Sequence, residues 1–158
     1  MSVKSFVALW LVCLAGMALI PRCFAQAGDI AVVVNPNSTV ANVSLADLHK
    51  MFSGEKQTWP GGVPIKLIVR AAGCRERLVL LKLVGMSENE YKRYWAAQVL
   101  RGEAEAEPFT VPSFGMAKEA VKAFPGAVTL VDAQDVKPGM KVIKLDGLLP
   151  GASGYPLH

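Results

Sequence analysis

Between residues 30 and 145, short β-branched runs alternate with segments of helical period, a pattern that a chain buries most readily as a layered α/β sheet. Ile30 to Asn35 reads Ile-Ala-Val-Val-Val-Asn and closes on Asn35-Pro36-Asn37-Ser38, which predicts a strand buried on both faces and then a turn. Val63 to Arg70, Ala127 to Val131 and Lys141 to Leu145 are predicted as further strands. Helices are expected from Ser44 to Gly54, from Cys74 to about Val84, from Glu88 to about Leu100 and from Ser113 to Phe124. Ser87-Glu88-Asn89-Glu90 is a capping box, and Pro125-Gly126 stops the last helix. Gly102 to Pro112, with Glu103, Glu105 and Glu107, is read as a loop.

The front of the chain has another logic. Lys4 precedes an uncharged apolar run from Phe6 to Ile20, followed by Pro21 and two small-x-small exits, Cys23-Phe24-Ala25, the preferred one, and Ala25-Gln26-Ala27. This is the pattern of a secretory signal peptide, and at roughly 15 residues the run is short of the ~20 needed to span a membrane. The expected organisation is a signal peptide over 1–25, one α/β domain over 28–146, and a Gly- and Pro-rich tail over 147–158 that is mobile at its end. Cleavage would remove Lys4 and Arg22 and no acid, so the formal charge of +4 falls by two and gives no footing for a nucleic-acid partner. Cys13 and Cys23 would leave as well, and Cys74 alone cannot form an internal disulfide.

The stretch richest in chemistry is the strand-to-helix junction from Arg70 to Arg77. Ligands of open α/β sheets bind beyond the carboxyl ends of strands, and a helix N-terminus offers free N–H groups to an anion. Arg70, Gly73, Cys74 and Arg75 are candidate ligand residues on that ground, and Asn37 and Ser38 follow the carboxyl end of another strand. Plain turn chemistry accounts for both places as well, with Arg75 and Arg77 solvated or paired to Glu76 and its neighbours. Cys74 beside Arg75 is a conceivable nucleophile, but His49 and His158, the only histidines, supply no catalytic base near it in sequence. The sequence has no His-Glu-x-x-His, no paired cysteines at metal spacing, no Gly-x-Ser-x-Gly, no P-loop and no Gly-x-Gly-x-x-Gly. Neither enzyme activity nor a metal or cofactor is therefore expected.

In order, Val33-Val34-Asn35-Pro36, then Ser44-Leu45-x-x-Leu48-x-x-Met51-Phe52-Ser53-Gly54-x-x-x-x-Trp59, then a strand ending in Arg70, resemble the substrate-binding proteins of phosphate ABC importers. The junction resembles that family's RxxGSGT anion loop, and Tyr94-Trp95 and Pro125-Gly126-Ala127-Val128 add to the likeness. The resemblance implies a type 2 periplasmic-binding-protein fold, with an anion held between two lobes. By position, Arg70 matches the family arginine and Gly73 the glycine that follows it. Cys74 stands in place of the serine, and Arg75 and Glu76 in place of glycine and threonine, which removes two hydroxyl donors and adds a carboxylate.

The mature chain suffices for one lobe, a mostly parallel sheet flanked by helices. The expectation is a periplasmic or secreted binding domain for a small oxyanion, phosphate first. An ABC importer or another envelope protein would be its partner, and it would meet the membrane only through that partner. The competing expectation is a degenerate lobe that recognises a protein through Trp59, Tyr91, Tyr94 or Trp95.

Overall fold

The first strand, β1 (Ile30–Val34), has all five side chains buried, as adjacent β-branched residues require when a strand is covered on both faces. Its alternate residues feed two cores. Ile30, Val32 and Val34 join the larger one, and Ala31 and Val33 the smaller. The computed structural model describes residues 28–158. The expected signal peptide over 1–25 lies outside the described residues, among which no helix is long and apolar enough to cross a membrane.

The remaining elements are β2 (Asn42–Val43), α1 (Leu45–Phe52), β3 (Lys66–Arg70), α2 (Arg75–Val84), α3 (Glu88–Leu100), β4 (Phe109–Val111), α4 (Phe114–Ala123), β5 (Ala127–Asp132) and β6 (Lys141–Leu145). Helices α1, α2 and α3 cover one face of the sheet, contributing Leu48, Met51, Phe52, Leu80, Tyr91 and Trp95 to the larger core. Helix α4 covers the other, where Ala117 and Ala120 let its backbone approach Val33, Ile68 and Val131. Each fully buried Val, Leu or Ile contributes roughly 1.5–3 kcal/mol relative to exposure. The helix starts follow the sequence reading. Ser44 Oγ accepts from Asp47 N (3.0 Å), Ser113 Oγ from Met116 N (3.2 Å), and the Ser87–Glu90 capping box is complete.

The sheet order is β2-β6-β1-β5-β3-β4. Strand β3 runs parallel to β4 and β5, and β2 parallel to β6, whereas β1 is antiparallel to both of its neighbours, β5 and β6. The sheet is thus mostly parallel with one central strand reversed. The sequence reading missed β2 and β4; the latter lies within its expected loop, and both are too short for a periodic signal. The tail departs from expectation too. Tyr155 and Leu157 are buried in the larger core, Ile30 N donates to the Leu157 carbonyl (2.8 Å), and Tyr155 OH donates to the Ile30 carbonyl (2.7 Å). Two apolar side chains with backbone partners on β1 dock the segment, despite its Gly and Pro content.

Candidate functional site

At the end of β3 the ladder continues for one more residue, with Ala71 N donating to the Val111 carbonyl (3.0 Å), and the chain then turns through Gly73. Gly73 has φ +87°, a left-handed conformation that glycine adopts without strain. Cys74 is the extended N-cap of α2, yet its side chain makes no capping bond to the first-turn amides. The first turn thus retains N–H groups without a side-chain cap, together with the positive end of the helix dipole.

Arg70 reaches this turn from the strand. Its Nη1 lies 3.2 Å from Glu76 Oε1, and its Nη2 donates to Cys74 Sγ at 3.4 Å. Both partners of the ion pair are well shielded, with side-chain exposures of 12% for Arg70 and 8% for Glu76. The other two arginines are also committed to acids. Arg75 bonds the Asp132 carboxylate and the Gly28 carbonyl. Arg77 makes a two-pronged bond to Glu88 at 3.0 and 2.9 Å, with its guanidinium 4.6 Å above the Tyr91 ring. Each cation of the junction therefore meets a carboxylate of this chain.

The hydrogen bond from Arg77 holds the Glu88 carboxyl below its ordinary value of 4.5, against the opposing effect of burial. Because the folded value is depressed, the pair's contribution is present above pH 4.5 and is lost as pH falls through the folded value. Urea unfolding of the wild type should lose on the order of 1 kcal/mol more on acidification below that point than Glu88→Gln does. Equal losses in the two proteins would remove this role of the pair.

Of the residues singled out from sequence, the fold brings Arg70, Gly73, Cys74 and Arg75 together. It does not bring Asn37 and Ser38 to them. Because β1 is reversed, its carboxyl end lies beside the start of β5, where Val34 pairs with Val128 and Asn35 N donates to the Ala127 carbonyl (3.1 Å). Arg70 ends β3 at the opposite end of the strands, beyond the Ile68–Thr129 pair. The Asn35 turn is instead a clasp. Asn35 Nδ2 donates to the Val121, Lys122 and Phe124 carbonyls at 3.0–3.1 Å, Asn35 Oδ1 accepts from Asn37 N (2.9 Å), and Ser38 Oγ accepts from Val40 N (3.2 Å).

The aromatic set expected for protein docking is largely structural. Tyr91, Trp95 and Trp59 are buried; Tyr91 OH donates to the Phe52 carbonyl (3.1 Å) and Trp59 Nε1 to the Gly126 carbonyl (2.9 Å). Tyr94, half-buried, donates to the Ser53 carbonyl (2.7 Å). The sequence reading left Glu76 out of the site and had no means of finding Asp132. A carboxylate one residue into a helix, between two arginines, was the available signal for the former. No group of three or more metal-ligating side chains gathers among the described residues. A cavity of about 530 Å³ between β3 and α3 reaches the junction at Ala71, Ala72 and Arg77.

No protein-family model matches the sequence. Solved structures do match the fold. An ABC-type phosphate transport receptor from Vibrio cholerae superposes with a TM-score of 0.63 at 22% identity, over 78% of this chain and 48% of that one. PstS from Borrelia burgdorferi gives 0.59 at 15% identity, over 78% and 49%. Phosphate binding protein from Stenotrophomonas maltophilia gives 0.59 at 13%, over 78% and 40%. The fold is similar to one part of a phosphate receptor. The chain spans about half the length of these structures or less, as a mixed α/β sheet flanked by helices. The resemblance read from the sequence is thus borne out in the fold.

Proposed function

We propose that the chain is an exported solute-binding lobe that takes a small oxyanion, phosphate first, at the β3–α2 junction. Arg70 is the charged donor in this reading, and the backbone amides of Gly73, Cys74 and Arg75 form the cradle, the Cys74 amide exchanging its long bond to the Ala71 carbonyl (3.4 Å) for the anion. The observation that carries it is the convergence of a shielded arginine from the end of β3 on a helix first turn that Cys74 leaves uncapped. An anion there meets the helix dipole and a guanidinium at once. The phosphate receptors with this fold support the choice of ligand, and an ABC importer or another envelope protein is the fitting partner. The signal-peptide pattern over 1–25 supports a mature protein in the periplasm or outside the cell.

Calorimetric titration of the mature protein with phosphate and sulfate tests the reading. Phosphate should bind weakly but saturably, and Arg70→Ala should weaken it by roughly 10- to 100-fold, the range expected for losing hydrogen bonds from a charged group. Absence of binding at millimolar ligand, with both proteins folded, would overturn it.

One observation favours a second reading, a lobe that recognises a protein without carrying a ligand. Arg70 is already engaged by Glu76. Under that reading the contact surface lies outside Trp59, Tyr91 and Trp95, which are buried.

A further inference from the structure

Glu76 is the second residue of α2, only 7% exposed, and its carboxylate sits where Arg70 meets the helix N-terminus. A negative charge in the first turn of a helix is favoured by the dipole, and the guanidinium favours it again. Glu76 thus brings to the junction the charge that an oxyanion would bring. Resting on the reading of this junction as an oxyanion site, we infer that Glu76 is a built-in competitor for the ligand, and that the anion binds Arg70 only when this carboxylate gives way.

The donor inventory supports displacement rather than a permanent lock. Arg70 gives Glu76 one hydrogen bond, from Nη1, instead of the parallel pair that a guanidinium can make with a carboxylate. Nη2 is spent on a thiol sulfur, a weak acceptor, and Nε has no partner among the described residues. A tetrahedral oxyanion presents more acceptor oxygens to this set than Glu76 does. The charge balance predicts weak binding by the wild type. Arg75 and Arg77 are held by Asp132 and Glu88, so Arg70 is the junction's remaining cation and Glu76 cancels it.

The test is Glu76→Gln, which keeps the volume and removes the charge. Phosphate should bind it at least about tenfold more tightly than it binds the wild type, because a like charge a few ångströms from the ligand is gone. Adding Arg70→Ala to that variant should abolish the gain. A purely structural ion pair predicts something else, a lower melting temperature that phosphate does not restore; the competitor predicts that phosphate raises the melting temperature of Glu76→Gln more than that of the wild type. If Glu76→Gln folds poorly, Glu76→Ser removes the same charge with less bulk and is read in the same way. Wild-type binding that depends on Arg70, with no gain in either Glu76 variant, would overturn the competitor and leave the oxyanion site standing. Folded wild type, Glu76→Gln and Glu76→Ser that all ignore millimolar phosphate would overturn both.

Discussion

Alanine at Gly126 should leave the domain largely unfolded. Gly126 has φ +74°, and a Cβ added there would lie 2.0 Å from the Pro64 carbonyl oxygen and 3.1 Å from Val63 Cγ1. The first of these contacts is with backbone, so no change of rotamer relieves it. The Gly126 carbonyl also accepts from Lys66 N (3.1 Å) and from Trp59 Nε1 (2.9 Å), which ties the start of β5 to the start of β3 and anchors a buried tryptophan. Moving Gly126 away from Pro64 strains both bonds. The left-handed conformation costs alanine roughly 1–2 kcal/mol, and each buried group left without its partner a further 1–3 kcal/mol or so. A loss above about 4 kcal/mol is a large part of the 5–15 kcal/mol that typically holds a domain together. Gly61→Ala is the control, since Gly61 has φ +93° but nothing within 4 Å of the added Cβ, and it should cost only about 1–2 kcal/mol. Urea unfolding followed by near-ultraviolet dichroism reads both variants. Similar midpoints for the two would show that the close approach to Pro64 does not matter.

The likeness of these two glycines in sequence shows where sequence reading ends. Pro125-Gly126 and Pro60-Gly61 both read as turns, and nothing local says that only one abuts a remote backbone segment, the one that leads into β3. What was legible is what short stretches decide. The valine run made β1, serines opened α1, α3 and α4, and Arg70 and Gly73 stand at the end of β3 and in the turn after it. What was not legible is decided far along the chain. Burial on both faces is the same for a parallel and a reversed strand; the direction of β1 is set by its pairing with β5 and β6, about a hundred residues later. The partner of Arg75 is equally remote, at Asp132. Glu76 was within reach, six residues from Arg70, but a pair that neutralises a binding arginine contradicts the simplest idea of an anion site. The same pair makes the junction testable, because it separates an arginine kept for structure from one kept for a ligand.

The reversed strand also recasts the Asn35 turn, and Asn35→Ala is the second change expected to have a large effect. The last carbonyls of a helix have no intrahelical partner, and a buried one without a substitute is costly. Asn35, 4% exposed, supplies that substitute for the end of α4, where its Nδ2 serves the Val121 and Lys122 carbonyls and shares the Phe124 carbonyl with Ala127 N (3.1 Å). Its Oδ1 fixes Asn37 N in return, so a single side chain joins the end of β1 to the end of α4. Alanine should cost about 3 kcal/mol, the upper part of the range for stranding buried groups. Asn35→Asp has nearly the same shape but is acceptor-only when ionised, and near neutral pH it should cost at least as much because it turns an oxygen towards carbonyl oxygens. Asn37 is exposed and Ser38 half-buried, so alanine at either should cost less than about 1 kcal/mol. Neither alanine at Asn37 nor alanine at Ser38 should change phosphate affinity by more than about twofold, because the turn and Arg70 lie at opposite ends of the sheet. A tenfold loss of phosphate binding in folded Asn37→Ala or Ser38→Ala would mean that the ligand is held at the Asn35 end of the sheet and not at the end where Arg70 lies.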